Sequence, residues 1–153
     1  MDCAAELLLS ANLPEGYVPD AGQRVDLYRR IALIRTEEEA DDLTDELIDR
    51  FGETPPGVNA LIHVALLRGE AGRAGITDIS QRQGTLRFTL SDFDMEKVSA
   101  LYAREEYKNR LRVEAGSKPC LSLKIKNKNR VIDEARGFAA DWAACGQTAE
   151  QST

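Results

Sequence analysis

The chain has 153 residues, which is about the size of one ordinary domain. Its 20 Lys and Arg against 26 Asp and Glu give a formal net charge of -6, which disfavours a general binder of nucleic acid or anionic membranes, because the long-range field repels phosphate. With 42% hydrophobic and 30% charged residues, the composition is typical of a globular rather than a disordered chain.

The cysteines and the N-terminus indicate the compartment. Cys3, Cys120 and Cys145 are odd in number, far apart and in no C-x-x-C pair, so neither a disulfide framework nor a zinc site is predicted. The start MDCAAELLLSANLP is acidic and has only a brief apolar run, so it predicts neither a signal peptide nor a membrane span. We therefore expect a cytoplasmic protein with no membrane partner.

The sequence pattern of residues 3–34 predicts a short strand followed by a helix. Residues 3–11 are apolar and end at the turn-forming Asn12, which suits a buried strand. Asp20 is the predicted N-cap of the helix, with Gln23 in the reciprocal position of a capping box. The apolar stripe of this helix is predicted to consist of Leu27, Tyr28, Ile31 and Ile34.

Residues 36–56, TEEEADDLTDELIDRFGETPP, carry the most strongly marked helix. Thr36 is the predicted N-cap, and Glu39 completes a capping box. Gly52 stands where a left-handed C-cap is needed, and the two prolines that follow prevent the helix from continuing. The predicted buried face consists of Ala40, Leu43, Leu47 and Phe51, with Ile48 on its flank.

The other face of this helix presents Glu46, Asp49 and Arg50 at positions i, i+3 and i+4. Two carboxylates and a guanidinium therefore lie side by side on one surface. The spacing by itself is explained by a solvated face with a weak ion pair between Glu46 and Arg50.

The rest of the chain predicts three more helices and two strand pairs. The helices begin at residue 56, at Asp92 or Asp94 (ending near residue 108), and near residue 129. The strand pairs are 76–79 with 85–90, and 111–114 with 120–126. The predicted inward-facing residues of these segments are Leu86, Phe88, Leu90, Met95, Val98, Leu101, Tyr102, Leu121, Leu123 and Ile125, with Ser122, Lys124 and Lys126 outward.

Helices clustered first and hairpins later indicate an α+β fold. Its predicted order is a short strand, three N-terminal helices, and then two β-hairpin-like strand pairs with two further helices. We expect a single domain over residues 1–145 and a flexible, polar tail over residues 146–153.

Residues suited to catalysis are scarce. His63 is the one histidine in the sequence, which argues against most hydrolytic catalytic triads and against a His-rich metal site. We expect His63 to have a structural role. Neither G-x-x-x-x-G-K-[ST] nor G-x-G-x-x-G occurs, so we expect no ATP binding and no cofactor. The acidic residues Asp41, Asp42, Asp45 and Glu46 spread around an outward helical arc, which predicts a solvated face rather than a metal site.

The sequence contains one cluster of basic residues, formed by Lys124, Lys126, Lys128 and Arg130. Contact with nucleic acid is one hypothesis for it, although no aromatic residue alternates with the lysines to stack bases. The other hypothesis is that the lysines lie on an edge strand, where they prevent sheets from associating.

A series of short blocks occurs in a fixed order: Tyr17-Val18-Pro19-Asp20, Arg24, Tyr28-Arg29-Arg30-Ile31-Ala32, Glu46-Leu47-Ile48-Asp49-Arg50-Phe51-Gly52 and Pro55-Pro56. Taken together, their order and spacing resemble the C-terminal domain of the bacterial transcription-repair coupling factors, the Mfd proteins. The clear motifs run from about residue 7 to residue 79, and a weaker strand and helix pattern continues from 84 to 142.

The resemblance implies a function. In this family, an ATP-driven DNA translocase with helicase-type motifs releases RNA polymerase stalled at DNA damage and recruits nucleotide excision repair. The C-terminal domain is not the motor. It docks on the UvrB-like module of the same protein and covers the surface that UvrA must reach, until polymerase is engaged. The present chain is therefore expected to be a non-catalytic fragment of a longer protein.

The resemblance also implies roles for particular residues. The family's docking patch falls on Glu46, Asp49 and Arg50. Arg24 and Tyr28 match a second block, and for them we expect scaffold roles, with Tyr28 in the core and Arg24 paired with the acidic helix.

Two other function classes stay open. A nucleic-acid-binding accessory domain would use the cluster from Lys124 to Arg130, and its binding would weaken steeply with salt. A small enzyme with an unrecognised site would show a deep pocket that holds carboxyl groups with perturbed pKa values.

Overall fold

The computed structural model describes residues 3–151 and forms two compact units. One unit is Leu9–Gly69, and the other is formed by the described chain on either side of it. The helices are α1 (Ala21–Ala32), α2 (Glu37–Phe51), α3 (Pro56–Arg73), α4 (Met95–Tyr102) and α5 (Val131–Gln151), with a short 3-10 helix at Glu105–Tyr107. The strands are β1 (Ala4–Glu6), β2 (Ile76–Arg82), β3 (Thr85–Leu90), β4 (Leu111–Glu114) and β5 (Cys120–Lys124).

The unit Leu9–Gly69 is helical, and its helices begin and end where the capping residues predict. Asp20 accepts a hydrogen bond from the Gln23 backbone N–H at 2.8 Å at the start of α1. Thr36 Oγ1 accepts from the Glu39 backbone N–H at 3.2 Å at the start of α2. At the other end of α2, Gly52 has a backbone φ of +91°. Residues that carry a Cβ rarely adopt this conformation.

The core of this unit lies beneath α2. Leu47 is fully buried, and Phe51 is partly buried with its ring centroid 5.7 Å from that of Tyr17. The Tyr17 hydroxyl donates to the Gly52 carbonyl at 2.7 Å. This hydrogen bond joins the segment before α1 to the C-terminal end of α2. The buried residues are Leu13, Val18, Leu27, Ile31, Ile34, Ala40, Leu43, Leu47, Val58, Ile62, Ala65 and Leu66.

Two predictions about α1 are wrong. Tyr28 is 40% exposed, because its hydroxyl accepts from the Leu13 backbone N–H at 2.8 Å and so stays at the surface. Arg24 does not pair with the acidic helix. Its guanidinium donates to the Val18 and Pro19 carbonyls, both at 2.8 Å, because it lies beside the connector that leads into its own helix.

The second unit contains a five-stranded sheet with the order β1-β2-β3-β5-β4. β1 pairs with β2 in parallel, and the other pairs are antiparallel. Both predicted hairpins are present, although β1 is shorter than predicted and β5 ends at Lys124 rather than at residue 126. The β2–β3 turn contains Gln83 in a positive-φ conformation (+52°) next to Gly84.

An aromatic stack forms the core of this unit. The ring centroids of Phe88 and Phe138 lie 4.0 Å apart, and Phe138 also stacks on Trp142 at 6.2 Å. Tyr107 meets Phe138 edge-on at 6.2 Å. This packing connects α5 with β3 and with the 3-10 helix, because the ring of Phe138 on α5 contacts a residue of each.

The fourth helix is shorter than predicted. It ends at Tyr102, and the chain then turns into the 3-10 helix. An α-helix continued to Tyr107 would place that ring about half a turn away from the buried Val98, whereas the turn buries it. Met95 and Tyr102, which were predicted to face inward, are 56% and 51% exposed.

Ser122 was predicted to be an outward residue but is buried, because β5 is an interior strand and neighbouring side chains cover it.

The fold class is the predicted α+β class. Extension of α5 to Gln151 means that residues 146–151, part of the predicted tail, are helical. The flexibility of that tail and the extent of a single domain over 1–145 stay predictions, and residues 152–153 lie outside the described chain. Among residues 3–151, no helix combines the length and apolar character that crossing a bilayer requires.

We predict that Leu47→Ala lowers the free energy of unfolding by ~2 to 5 kcal/mol, because it leaves a cavity beneath α2. The matched control is Ile48→Ala on the same helix, which is 44% exposed and should cost less than about 1 kcal/mol. Phe51→Ala should fall between the two, since its ring is only partly buried. Chemical denaturation measures all three variants, and equal losses for Leu47→Ala and Ile48→Ala would contradict the assigned buried face.

Candidate functional site

The candidate site lies on the solvent-facing side of α2, beside the buried face that contains Leu47. Glu46 is half-buried, and Asp49 and Arg50 are exposed. The structure therefore brings the three predicted docking residues together on one surface, as their helical spacing predicts.

Glu46 is the centre of a network of charged side chains. The Arg30 guanidinium of α1 binds it with two hydrogen bonds, Nη1 to Oε2 at 2.5 Å and Nη2 to Oε1 at 2.8 Å. The Arg50 Nη1 donates to Oε2 at 2.9 Å, one turn further along α2. The Arg50 guanidinium also lies 4.9 Å from the centroid of the Phe51 ring. The predicted Glu46–Arg50 pair is present, and Arg30 adds a bidentate contact to it.

For Arg24, Arg29 and Arg30 alike, the sequence predicts either an outward position or a pair with an acidic residue of the next helix, and it does not single out Arg30. A signal existed in the short connection between α1 and α2, which makes the two helices neighbours and brings residues of each close to the other. Helical spacing within one segment shows only the partners three and four residues away, and Arg30 is 16 residues from Glu46.

The two guanidinium groups hold Glu46 in its ionised form. Hydrogen bonding to Arg30, and then to Arg50, lowers the pKa of the Glu46 carboxyl to about 2. The same contact raises the pKa of Arg30. The Glu46 carboxylate is therefore charged across the physiological pH range.

Asp49 differs from its neighbours, because its carboxylate has no ion-pair partner among the side chains that the structure describes. It also lies in the last turn of α2, where the partial negative charge of the helix end disfavours a carboxylate. We name the four residues Arg30, Glu46, Asp49 and Arg50 the α2 surface. It can bind a partner cation at Asp49 and a partner carboxylate at Arg50.

The other acidic and basic candidates are placed differently. Asp41, Asp42 and Asp45 are exposed along α2, and no group of three or more metal-ligating side chains occurs among the described residues. His63 is exposed on α3 rather than packed in the core.

The basic cluster is divided by the fold. Lys124 ends β5, which lies between β3 and β4, so the hypothesis of edge-strand lysines is wrong for this residue. Lys126, Lys128 and Arg130 lie in the loop before α5 and line a surface cavity of about 700 Å³, which Lys124 does not line.

Acidic groups offset much of the charge around that cavity. The Glu134 carboxylate accepts from the backbone N–H groups of Lys126 (2.9 Å) and Asn127 (2.7 Å) and from Arg110 Nη2 (2.7 Å). Arg130 pairs with Asp133 at 3.0 Å. Nucleic-acid contact by Lys124, Lys126, Lys128 and Arg130 stays a prediction.

Comparison with known proteins gives a consistent result. Residues 7–101 match the model of the TRCF domain family. The transcription-repair-coupling factor of Bacillus subtilis (strain 168) is 33% identical over 131 residues, which cover 82% of this chain and 11% of that protein. The factor of Escherichia coli (strain K12) is 36% identical over 85 residues, which cover 54% of this chain and 7% of that protein. The chain thus spans only a small part of these relatives.

The fold agrees with a solved structure described as the crystal structure of the C-terminal domain of transcription-repair coupling factor. The TM-score is 0.77 with 21% sequence identity, and the alignment covers 96% of both chains. At this identity the likeness concerns the fold. The likeness agrees with the family match, which covers more than half of the sequence. The chain therefore belongs to the TRCF domain family, whose members are C-terminal domains of the Mfd-type transcription-repair coupling factors.

Proposed function

We propose that this chain is a non-catalytic, autoinhibitory interaction domain of a cytoplasmic transcription-repair coupling factor. In this proposal it docks through the α2 surface on the UvrB-like module of its own parent protein and masks the surface that UvrA binds. Engagement of RNA polymerase releases it. ATP turnover and DNA translocation belong to the motor of the parent, not to this domain.

The observation that carries the proposal is the state of Asp49. Its charge is placed where the end of α2 disfavours it, and no described side chain neutralises it. A carboxylate in this position does little for the stability of its own helix. A cation on a docking partner would give it a favourable contact.

The rest of the α2 surface suits an orienting contact. Arg30 fixes the Glu46 carboxylate from the side of α1, and Arg50 lies between that carboxylate and the Phe51 ring. The resulting mixed-charge pattern favours one orientation of a partner with the complementary pattern, since like charges that meet in a wrong orientation repel each other.

The exposure of the same residues supports reversibility. Side chains of Glu46 and Arg50 are 36% and 40% exposed. Exposed ion pairs contribute little free energy each, so an interface built on them can open when another contact competes. A large apolar interface would resemble a permanent assembly instead.

The first test separates docking from stability. In the isolated domain, Asp49→Lys should leave the free energy of unfolding unchanged or raise it by about 0.3 to 1 kcal/mol, because it replaces a carboxylate by a cation at a helix C-terminus. In the full-length parent, the same change should weaken the clamp by ~1 to 3 kcal/mol. UvrA binding and basal ATPase activity of the parent should both increase. The matched control is Asp92→Lys, the same charge change at an exposed residue outside the unit Leu9–Gly69.

The combined change of Glu46, Asp49 and Arg50 to Ala extends this test. It should cost the isolated domain less than about 1 kcal/mol, since all the contacts removed are at least partly exposed. Early melting of this variant would assign the residues to the scaffold. A stable variant whose parent stays repressed would place the docking surface elsewhere.

The second test concerns the acid range. Because the folded-state pKa of Glu46 lies near 2, below its ordinary value of 4.5, its ion pairs stabilise the domain fully above about pH 5. That contribution is lost as the pH falls from about 4.5 towards 2. Accordingly, the stability difference between the native chain and Glu46→Gln should be constant above about pH 5 and shrink below it.

Carboxyl chemical shifts in NMR spectra provide a direct readout of the same network. Arg30→Gln should raise the pKa of Glu46 more than Arg50→Gln does, because hydrogen bonding to Arg30 is the larger cause of the shift. An unchanged Glu46 titration in Arg30→Gln would contradict the central role given to Arg30.

A further inference from the structure

The outward face of the sheet carries a second charged surface, which is independent of the proposed function of α2. Strand register places Arg87 of β3, Ser122 of β5 and Arg112 of β4 in one row across the sheet. Thr85 of β3 and Lys124 of β5 form the next row. Directly paired residues project to the same face, so the side chains of both rows lie side by side.

The first row already binds a carboxylate, that of Glu114 on β4. Arg87 Nη2 lies 2.7 Å from Glu114 Oε2, and the Ser122 hydroxyl donates to Glu114 Oε1 at 3.0 Å. Both oxygens of this carboxylate are therefore satisfied by a guanidinium and a hydroxyl. This part of the sheet face is built to hold a carboxylate.

Arg112, at the β4 end of the first row, and the second row together offer a similar set of donors without an acceptor. Arg112 and Lys124 are exposed, and neither side chain has an ion pair or hydrogen bond among the residues that the structure describes. Thr85 adds a hydroxyl next to Lys124. These three side chains line a pocket of about 420 Å³ on the sheet face.

The remaining charges around this pocket are neutralised locally. Arg110, which also lines it, pairs with Glu134 at 2.7 Å, and Glu114 pairs with Arg87. The charges of Arg112 and Lys124 are left uncompensated, in a chain whose net charge is -6. A local positive potential on an acidic protein selects anionic partners at this position.

We propose that this pocket is a docking site for an acidic segment of a protein partner, whose carboxylates bind Arg112 and Lys124. The adjacent Arg87–Glu114–Ser122 contact is an example of a carboxylate bound on this face. Arginine suits it because the guanidinium binds both oxygens of a carboxylate in one plane.

Nucleic acid fits the pocket less well. No aromatic side chain lines it, so bases have no surface on which to stack. Two uncompensated cations make few phosphate contacts, and the net negative charge of the chain opposes a long polyanion.

The test uses a fluorescent peptide of six glutamates, with a peptide of six glutamines and a single-stranded oligothymidine as comparison probes. Fluorescence anisotropy at low salt measures binding, and amide chemical shifts locate it. We expect the glutamate peptide to shift residues of β3, β4 and β5 around Arg112 and Lys124. The double variant Arg112→Glu with Lys124→Glu should weaken its binding by about tenfold or more, because both charge-assisted contacts become repulsive.

The matched control reverses two charges in the loop before α5, Lys126→Glu with Lys128→Glu, and so changes the net charge equally. Little loss in this control supports the pocket, whereas an equal loss would show that affinity follows net charge and would overturn the proposal. Failure of the glutamate peptide to bind, or tighter binding of the oligothymidine at the same residues, would also overturn it. If the charge reversals unfold the domain, Arg112→Gln with Lys124→Gln replaces them, and it too must weaken binding.

Discussion

Burial of one face of α2 is the constraint on which the unit Leu9–Gly69 depends. Leu43 and Leu47 must lie in the core, and the helical period then fixes which residues of the same helix point outward. The positions of Glu46, Asp49 and Arg50 therefore follow from the burial of Leu43 and Leu47. A surface arranged in this way can change its contacts with a partner while the fold beneath it stays intact.

Electrostatics in this chain follow one pattern, in which arginine side chains bind the excess carboxylates. Arg30 binds Glu46, Arg87 binds Glu114, and Arg110 binds Glu134, in addition to the bidentate pair of Arg136 with Glu70. Most of these groups are partly exposed, so the pairs orient side chains more than they stabilise the fold. Among the described side chains without an ion pair, Asp49 on one unit and Arg112 with Lys124 on the other are the groups that we assign to partners.

Family membership and local geometry support different parts of the functional argument. The match of residues 7–101 and the likeness of the fold place the chain among the TRCF domains. Neither comparison says which face meets another molecule. The family resemblance suggests Glu46, Asp49 and Arg50 as docking residues, and the uncompensated charge of Asp49 supports the same surface on chemical grounds.

The sequence by itself determined where the helices begin, both hairpins and the position of Glu46, Asp49 and Arg50 on one face, because caps and apolar periodicity act over a few residues. Only the tertiary structure decided which residues meet across elements. Arg30 instead of Arg24 binds the acidic helix, and Tyr28 remains exposed because its hydroxyl accepts a backbone N–H. Likewise, the pairing of β3 with β5 made β5 an interior strand and joined the two hairpins, since hydrogen bonds between strands distant in sequence leave no local signal in the chain.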